Sequence, residues 1–129
     1  MHRYPSNLRA KILTTYQDIL IALEDAKKLS RAAGMNQRNA VISHVNSKYT
    51  QHENVLEKSK ICEDLFFRIK ILTALSEKLK DPIDFLSNHL KYKQMIQELD
   101  VLIIQSVQSE NYETAAILKK CRDTFLEPK

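Results

Sequence analysis

At 129 residues, with one glycine, three prolines and no tryptophan, the chain is long enough for one modest core and too poor in turn-forming residues for a sheet of tight hairpins. An all-α fold is expected, as a single domain over 1–129. The formal charge of +4 is uneven: residues 1 to 49 carry Arg3, Arg9, Lys11, Lys27, Lys28, Arg31, Arg38 and Lys48 against Asp18, Glu24 and Asp25. No apolar run approaches the ~20 residues that span a bilayer. Met1-His2-Arg3-Tyr4-Pro5 lacks the apolar core of a secretory signal. Cys62 and Cys121 stand alone in helical patterns rather than in a disulfide framework. The sequence therefore reads as a cytoplasmic protein with free thiols.

The first helix is expected to start near Ser6 or Asn7, either of which can cap free N–H groups after Pro5. Ile12, Tyr16, Ile19, Leu20, Leu23, Ala26 and then Leu29 or Ala33 recur three and four apart along one stripe. Gly34, the residue best suited to a left-handed helix end, predicts a stop there. Asn36 can cap a second helix, with Ala40, Val41, Ile42, Val45 and Tyr49 as its first apolar positions. Thr50-Gln51-His52-Glu53 has the spacing of a capping box and permits a break near residue 50. Because no glycine or proline enforces that break, the pattern favours one long, bent helix over about 37–80. Val55, Cys62, Leu65, Phe66, Ile69, Leu72, Leu75 and Leu79 give its second half a broad apolar face.

Asp81-Pro82 supplies a cap and a first-turn proline for a third helix. Phe85, Leu86, Leu90, Met95, Ile96, Leu99, Leu102, Ile103 and Val107 carry that helix to about Gln108. Ser109-Glu110-Asn111 forms a turn into a fourth helix, 112–126, and Pro128 closes the ordered chain. Three long antiparallel helices and one short one, with coiled-coil-like packing, make the expected bundle. More apolar face is available than one short helix covers, which predicts a homodimer.

One stretch carries more than helix chemistry. Tyr112-Glu113-Thr114-Ala115-Ala116-Ile117-Leu118-Lys119 resembles the signature of the UVR motif, found in nucleotide-excision-repair subunits and in bacterial regulators associated with protein-arginine kinase and Clp proteases. That pattern runs aromatic, acid, any residue, Ala, Ala, any residue, Leu, Arg, Asp. Here Lys119 stands for Arg, Lys120 replaces Asp, and Arg122 falls where the second arm normally carries an aliphatic residue. The resemblance covers about 95–126 and implies a helical hairpin that docks onto another protein or another such hairpin. Its implied contact residues are Ile103 and Val107 from the first arm with Tyr112, Glu113, Ala115, Ala116 and Leu118 from the second. Tyr112 would anchor, the alanines would allow close approach, and Leu118 would act as a plug.

Two rival readings come from other classes. Arg38-Asn39-Ala40-Val41-Ile42-Ser43-His44 resembles the Arg-polar-x(n)-His motif of HEPN domains, all-α modules that include metal-independent ribonucleases. An imidazole can shuttle protons near neutral pH and a guanidinium can grip phosphate oxygens. Six residues on a helix, however, turn the two side chains about 120° apart. Alternatively Arg9, Lys11, Lys27, Lys28 and Arg31 form a basic nucleic-acid-binding face, although the last three also suit the negative end of a helix dipole. His52 and His89 have no ligand-spaced partner, and there is no Cys-x-x-Cys pair or glycine-rich phosphate loop, so neither metal nor cofactor is expected. The leading expectation is a non-enzymatic helical interaction or adaptor module.

Overall fold

The computed structural model describes residues 8–81 and 89–126, all helix apart from short connections and with no strand among them. Four helices follow in order: α1 Leu8–Asn46, α2 His52–Leu79, α3 His89–Gln108 and α4 Tyr112–Leu126. The expected cap at Ser6 or Asn7, the Pro82 helix start with Phe85 and Leu86, the Leu90 side chain and the Pro128 end lie outside the described residues.

The expected stop at Gly34 and the long helix over 37–80 are both corrected. Helix α1 runs straight through Gly34, and the break falls at residues 47–51. A lone glycine flanked by Ala32, Ala33 and Met35 costs a helix only about 1 kcal/mol relative to alanine, too little to stop it against continuous packing on either side. Gly34 does not take a left-handed conformation.

The true stop is built from residues that look unremarkable. Lys48 and Tyr49 both adopt positive φ, 61° and 65°. The Tyr49 N–H reaches back to His44 O at 2.7 Å and the Lys48 N–H to Val45 O at 3.2 Å, the paired six-to-one and five-to-two bonds of a Schellman ending. Ser47 Oγ donates to His44 O (3.0 Å) and accepts from the Thr50 N–H (3.4 Å). Serine thereby satisfies carbonyl and amide groups that the helix would otherwise leave open. The first α2 bond, Val55 N–H to Gln51 O at 3.1 Å, makes Gln51 the capping residue in place of Thr50.

The chain divides into two compact units, one of residues 1–21 with 74–129 and one of residues 22–73. In the first, the beginning of α1 supplies Ile12, Thr15 and Ile19, the end of α2 Leu75 and Leu79, α3 Met95 and Leu99, and α4 Leu118 and Phe125, all essentially inaccessible. These four helical segments enclose its core, as expected of a bundle. Lys78 and Glu98 tie α2 to α3.

The second unit is a hairpin of α1 and α2. Its α1 seam, Leu23, Ala26, Ser30, Ala33, Gln37, Ala40 and His44, alternates four and three residues and is buried or half-buried at every position. This is the 3.5-residue repeat of coiled-coil packing, with small side chains at Ala26, Ser30, Ala33 and Ala40. Opposite it, Gln37 Nε2 donates to Ser59 Oγ at 3.1 Å and Gln37 Oε1 lies 3.8 Å from Cys62 Sγ. On the wide face of residues 55–79, Leu65, Leu72, Leu75 and Leu79 are buried within the chain itself. Leu56, Ile61 and Phe66 are what remain exposed on that helix.

Candidate docking site

Helices α3 and α4 pack together as an antiparallel hairpin whose turn is built like the first one. Glu110 takes φ 61°, the Asn111 N–H bonds Ser106 O at 2.7 Å, and the Glu110 N–H bonds Val107 O at 3.0 Å. Ser109 Oγ donates to Ser106 O at 3.2 Å. Ala115 N–H to Asn111 O, 3.1 Å, then opens α4 with a buried asparagine in the capping place. The expected turn at Ser109 to Asn111 is thus present.

Two contacts fix the register of the arms. Tyr92 Oη donates to Phe125 O at 3.0 Å, with the two rings edge to face at 6.3 Å. The hydroxyl satisfies one of the open carbonyls at the end of α4, and burial raises its pKa. Arg122 Nε lies 2.7 Å from Asp100 Oδ1, a close ion pair whose angle falls short of an aligned hydrogen bond. Toward the turn, Ser106 on α3 and Thr114 and Ala115 on α4 are all buried. Small side chains at that end let the arms converge into a short turn.

The structure separates the residues that the motif groups together. Leu118 is wholly inaccessible and Ala115 is 7% exposed; with Thr114, Cys121 and Phe125 they form the buried face of α4. Tyr112 is 61% exposed, Glu113, Ala116 and Val107 are exposed, and Ile103 is half-buried. On α3, Val101, Ile104 and Val107 follow one another three residues apart and are all about half exposed. Val101 and Ile104 are not among the expected contact residues because they sit in a continuous apolar run whose inward and outward members look alike in the sequence. Cys121 is inert: burial, with the Asp18 carboxylate nearby, pushes its thiol up to about 11.

Arg38 and His44 both stand on the continuous helix α1, so their Cα atoms are about 9 Å apart along the axis and about 120° apart around it. His44 already has an occupation. Its Nδ1 accepts the Gln51 N–H at 2.9 Å, its ring meets Tyr49 edge to face at 5.3 Å, and His52 lies 6.0 Å away. The imidazole thus bridges the end of α1 to the start of α2. Of the basic residues, Arg9, Lys27, Lys28 and Arg31 are exposed. Lys11 is 6% exposed, with its Nζ buried and without a hydrogen-bond partner among the described residues, so it contributes nothing to a solvated basic face.

No group of His, Cys, Asp and Glu among the described residues is arranged to hold a metal ion. No helix among them is long and apolar enough to cross a membrane. Comparison with protein-family models, with curated proteins and with solved structures found no match.

Proposed function

We propose that this protein is a non-enzymatic, cytoplasmic helical docking module that presents the outer faces of its α3–α4 hairpin to a protein partner or to a second copy of itself. The observation that carries the reading is the division within the hairpin. Ala115 and Leu118 are buried, while Val101, Ile104, Val107 and Tyr112 are left in solvent beside a turn capped on both sides. Exposed aromatic and aliphatic side chains carried on helices are the kind that supply binding energy at an interface. The resemblance to the UVR hairpin, which docks onto proteins, points the same way. In this reading Tyr112, Val107, Ile104, Val101 and Ala116 make the contact, with Glu113 and Ile103 at its edge.

The test is association in solution. Sedimentation equilibrium at micromolar concentration and above should report a homodimer, and the pair Ile104→Asp and Tyr112→Asp should convert it to a monomer with an unchanged helical spectrum. A wild-type monomer would leave only a foreign partner for this surface. An unchanged dimer in the double variant would remove the hairpin from the interface.

A further inference from the structure

A second surface in the unit of residues 22–73 has a more specific chemistry than the first. From Ala26 to His52 there is no acidic residue, while Lys27, Lys28, Arg31, Arg38 and Lys48 are all present. Arg31 and Arg38 are exposed. Neither has a carboxylate partner among the described residues, and their sequence neighbours three and four positions away supply none. Met35, Val41, Ile42 and Val45 are about half exposed on the same helix.

The arrangement of these residues carries the argument. A shallow depression on α1 is lined by Arg31, Gly34, Met35 and Arg38, with Ser30 and Gln37 at its margin. Residues i, i+3, i+4 and i+7 are the four that form a hole for a knob from a facing helix. Gly34 leaves this hole open, since nothing lies within 4 Å of where its Cβ would stand. Arg38, Val41, Ile42 and Val45 repeat the same spacing one heptad on and form a second, apolar hole. Met35 and Ile42 lie five residues beyond the seam positions Ser30 and Gln37, about 140° around the helix, so α2 does not cover this track.

We propose that the outer face of α1 from Arg31 to Val45 receives an acidic amphipathic α-helix. Apolar knobs of that helix, three and four residues apart, would enter the two holes, with carboxylates flanking them beside Arg31 and Arg38. The charge pattern selects this occupant. On a helix lying in a membrane surface, cationic side chains flank an apolar centre. Here the two arginines lie within the apolar track itself; one side carries Ala32, Asn36, Asn39, Ser43 and Asn46 and the other is the seam of Ser30 and Gln37 toward α2. A nucleic-acid track would leave Met35, Ile42 and Val45 facing phosphates with nothing to bury.

The test uses two synthetic helices about four heptads long. Both carry leucine at the seam positions; one has glutamate at the flanking positions and the other lysine, so that like-charge repulsion keeps each from pairing with itself. The full chain should bind the glutamate peptide at least about tenfold more tightly than the lysine peptide, a difference of about 1.4 kcal/mol. The double variant Arg31→Glu, Arg38→Glu should reverse that preference, and Ile42→Asp should weaken binding of the glutamate peptide without changing the thermal midpoint. Equal binding of the two peptides, or a preference untouched by the charge reversal, overturns the proposal. So does tighter binding to anionic vesicles or single-stranded RNA that depends on the same arginines, or self-association that Ile42→Asp abolishes.

Discussion

Ala115 and Ala116 are adjacent and chemically identical, yet they stand about 100° apart around α4, one buried and the other exposed, so the same substitution at each measures the orientation of the hairpin. Ala115 is 7% exposed on the face that also buries Thr114 and Leu118. Arginine there would overpack a seam sized for small side chains, at about 1–3 kcal/mol, and would force its charge to find water. For a chain of this length that corresponds to a fall in thermal midpoint of roughly 4–15 °C. Ala116 is exposed, arginine is nearly as good a helix former as alanine, and an exposed substitution of this kind changes stability by no more than about 0.5 kcal/mol. Thermal melts followed by far-ultraviolet circular dichroism should therefore show a large drop for Ala115→Arg and almost none for Ala116→Arg. Equal drops, or a silent Ala115→Arg, would refute the assignment of the two alanines and with it the division between scaffold and docking surface.

Gly34→Ala should raise the thermal midpoint by a few degrees, because alanine relieves a mid-helix cost of about 1 kcal/mol at a position with open space around it; a lower midpoint would mean that the helix is not continuous there. His44→Ala should lower stability by about 1 kcal/mol, the usual worth of a bond to a helix-end backbone amide, and RNA incubated with the parent protein should remain intact. Reproducible metal-independent cleavage that His44→Ala abolishes would instead make Arg38 and His44 catalytic. Cys121 keeps its proton to about 11 in the folded chain, whereas an ordinary thiol loses it near 9. Its contribution is fully present below pH 9 and fades as pH rises toward 11, by up to about 2–3 kcal/mol. Urea midpoints at pH 8 and 10.5 should therefore converge in Cys121→Ala more than in the parent.

The legible part of this fold was the α3–α4 hairpin. Its apolar positions are large, its turn is polar, and Leu99 and Leu118 stand at the spacing of a helical face. The second unit was misread for a physical reason. The middle of its seam on α1 is mostly Ala26, Ser30, Ala33 and Ala40, which pack by letting backbones approach rather than by filling volume. The larger Val41, Ile42 and Val45 drew the apolar face toward the side that is in fact exposed. The break at residues 47–51 was suggested by the Thr50 to Glu53 spacing but not enforced by it. Two non-glycine residues in the left-handed region, a serine bonded to His44 O and an imidazole accepting a backbone N–H seven residues ahead are tertiary details that no local pattern encodes. The motif at Tyr112 likewise marks a hairpin without revealing which alanine faces inward.

Site-specific photocrosslinking tests the docking surface most directly. A benzophenone side chain placed at position 112 or 104, both exposed and on different arms, should give discrete covalent adducts in the protein's native cells, and Val107→Asp should diminish both. The same group at the exposed position 70 on α2 should give none of these adducts. No adduct above background at 112 and 104, or the same adducts from 70, would contradict the account of the α3–α4 hairpin as a docking surface.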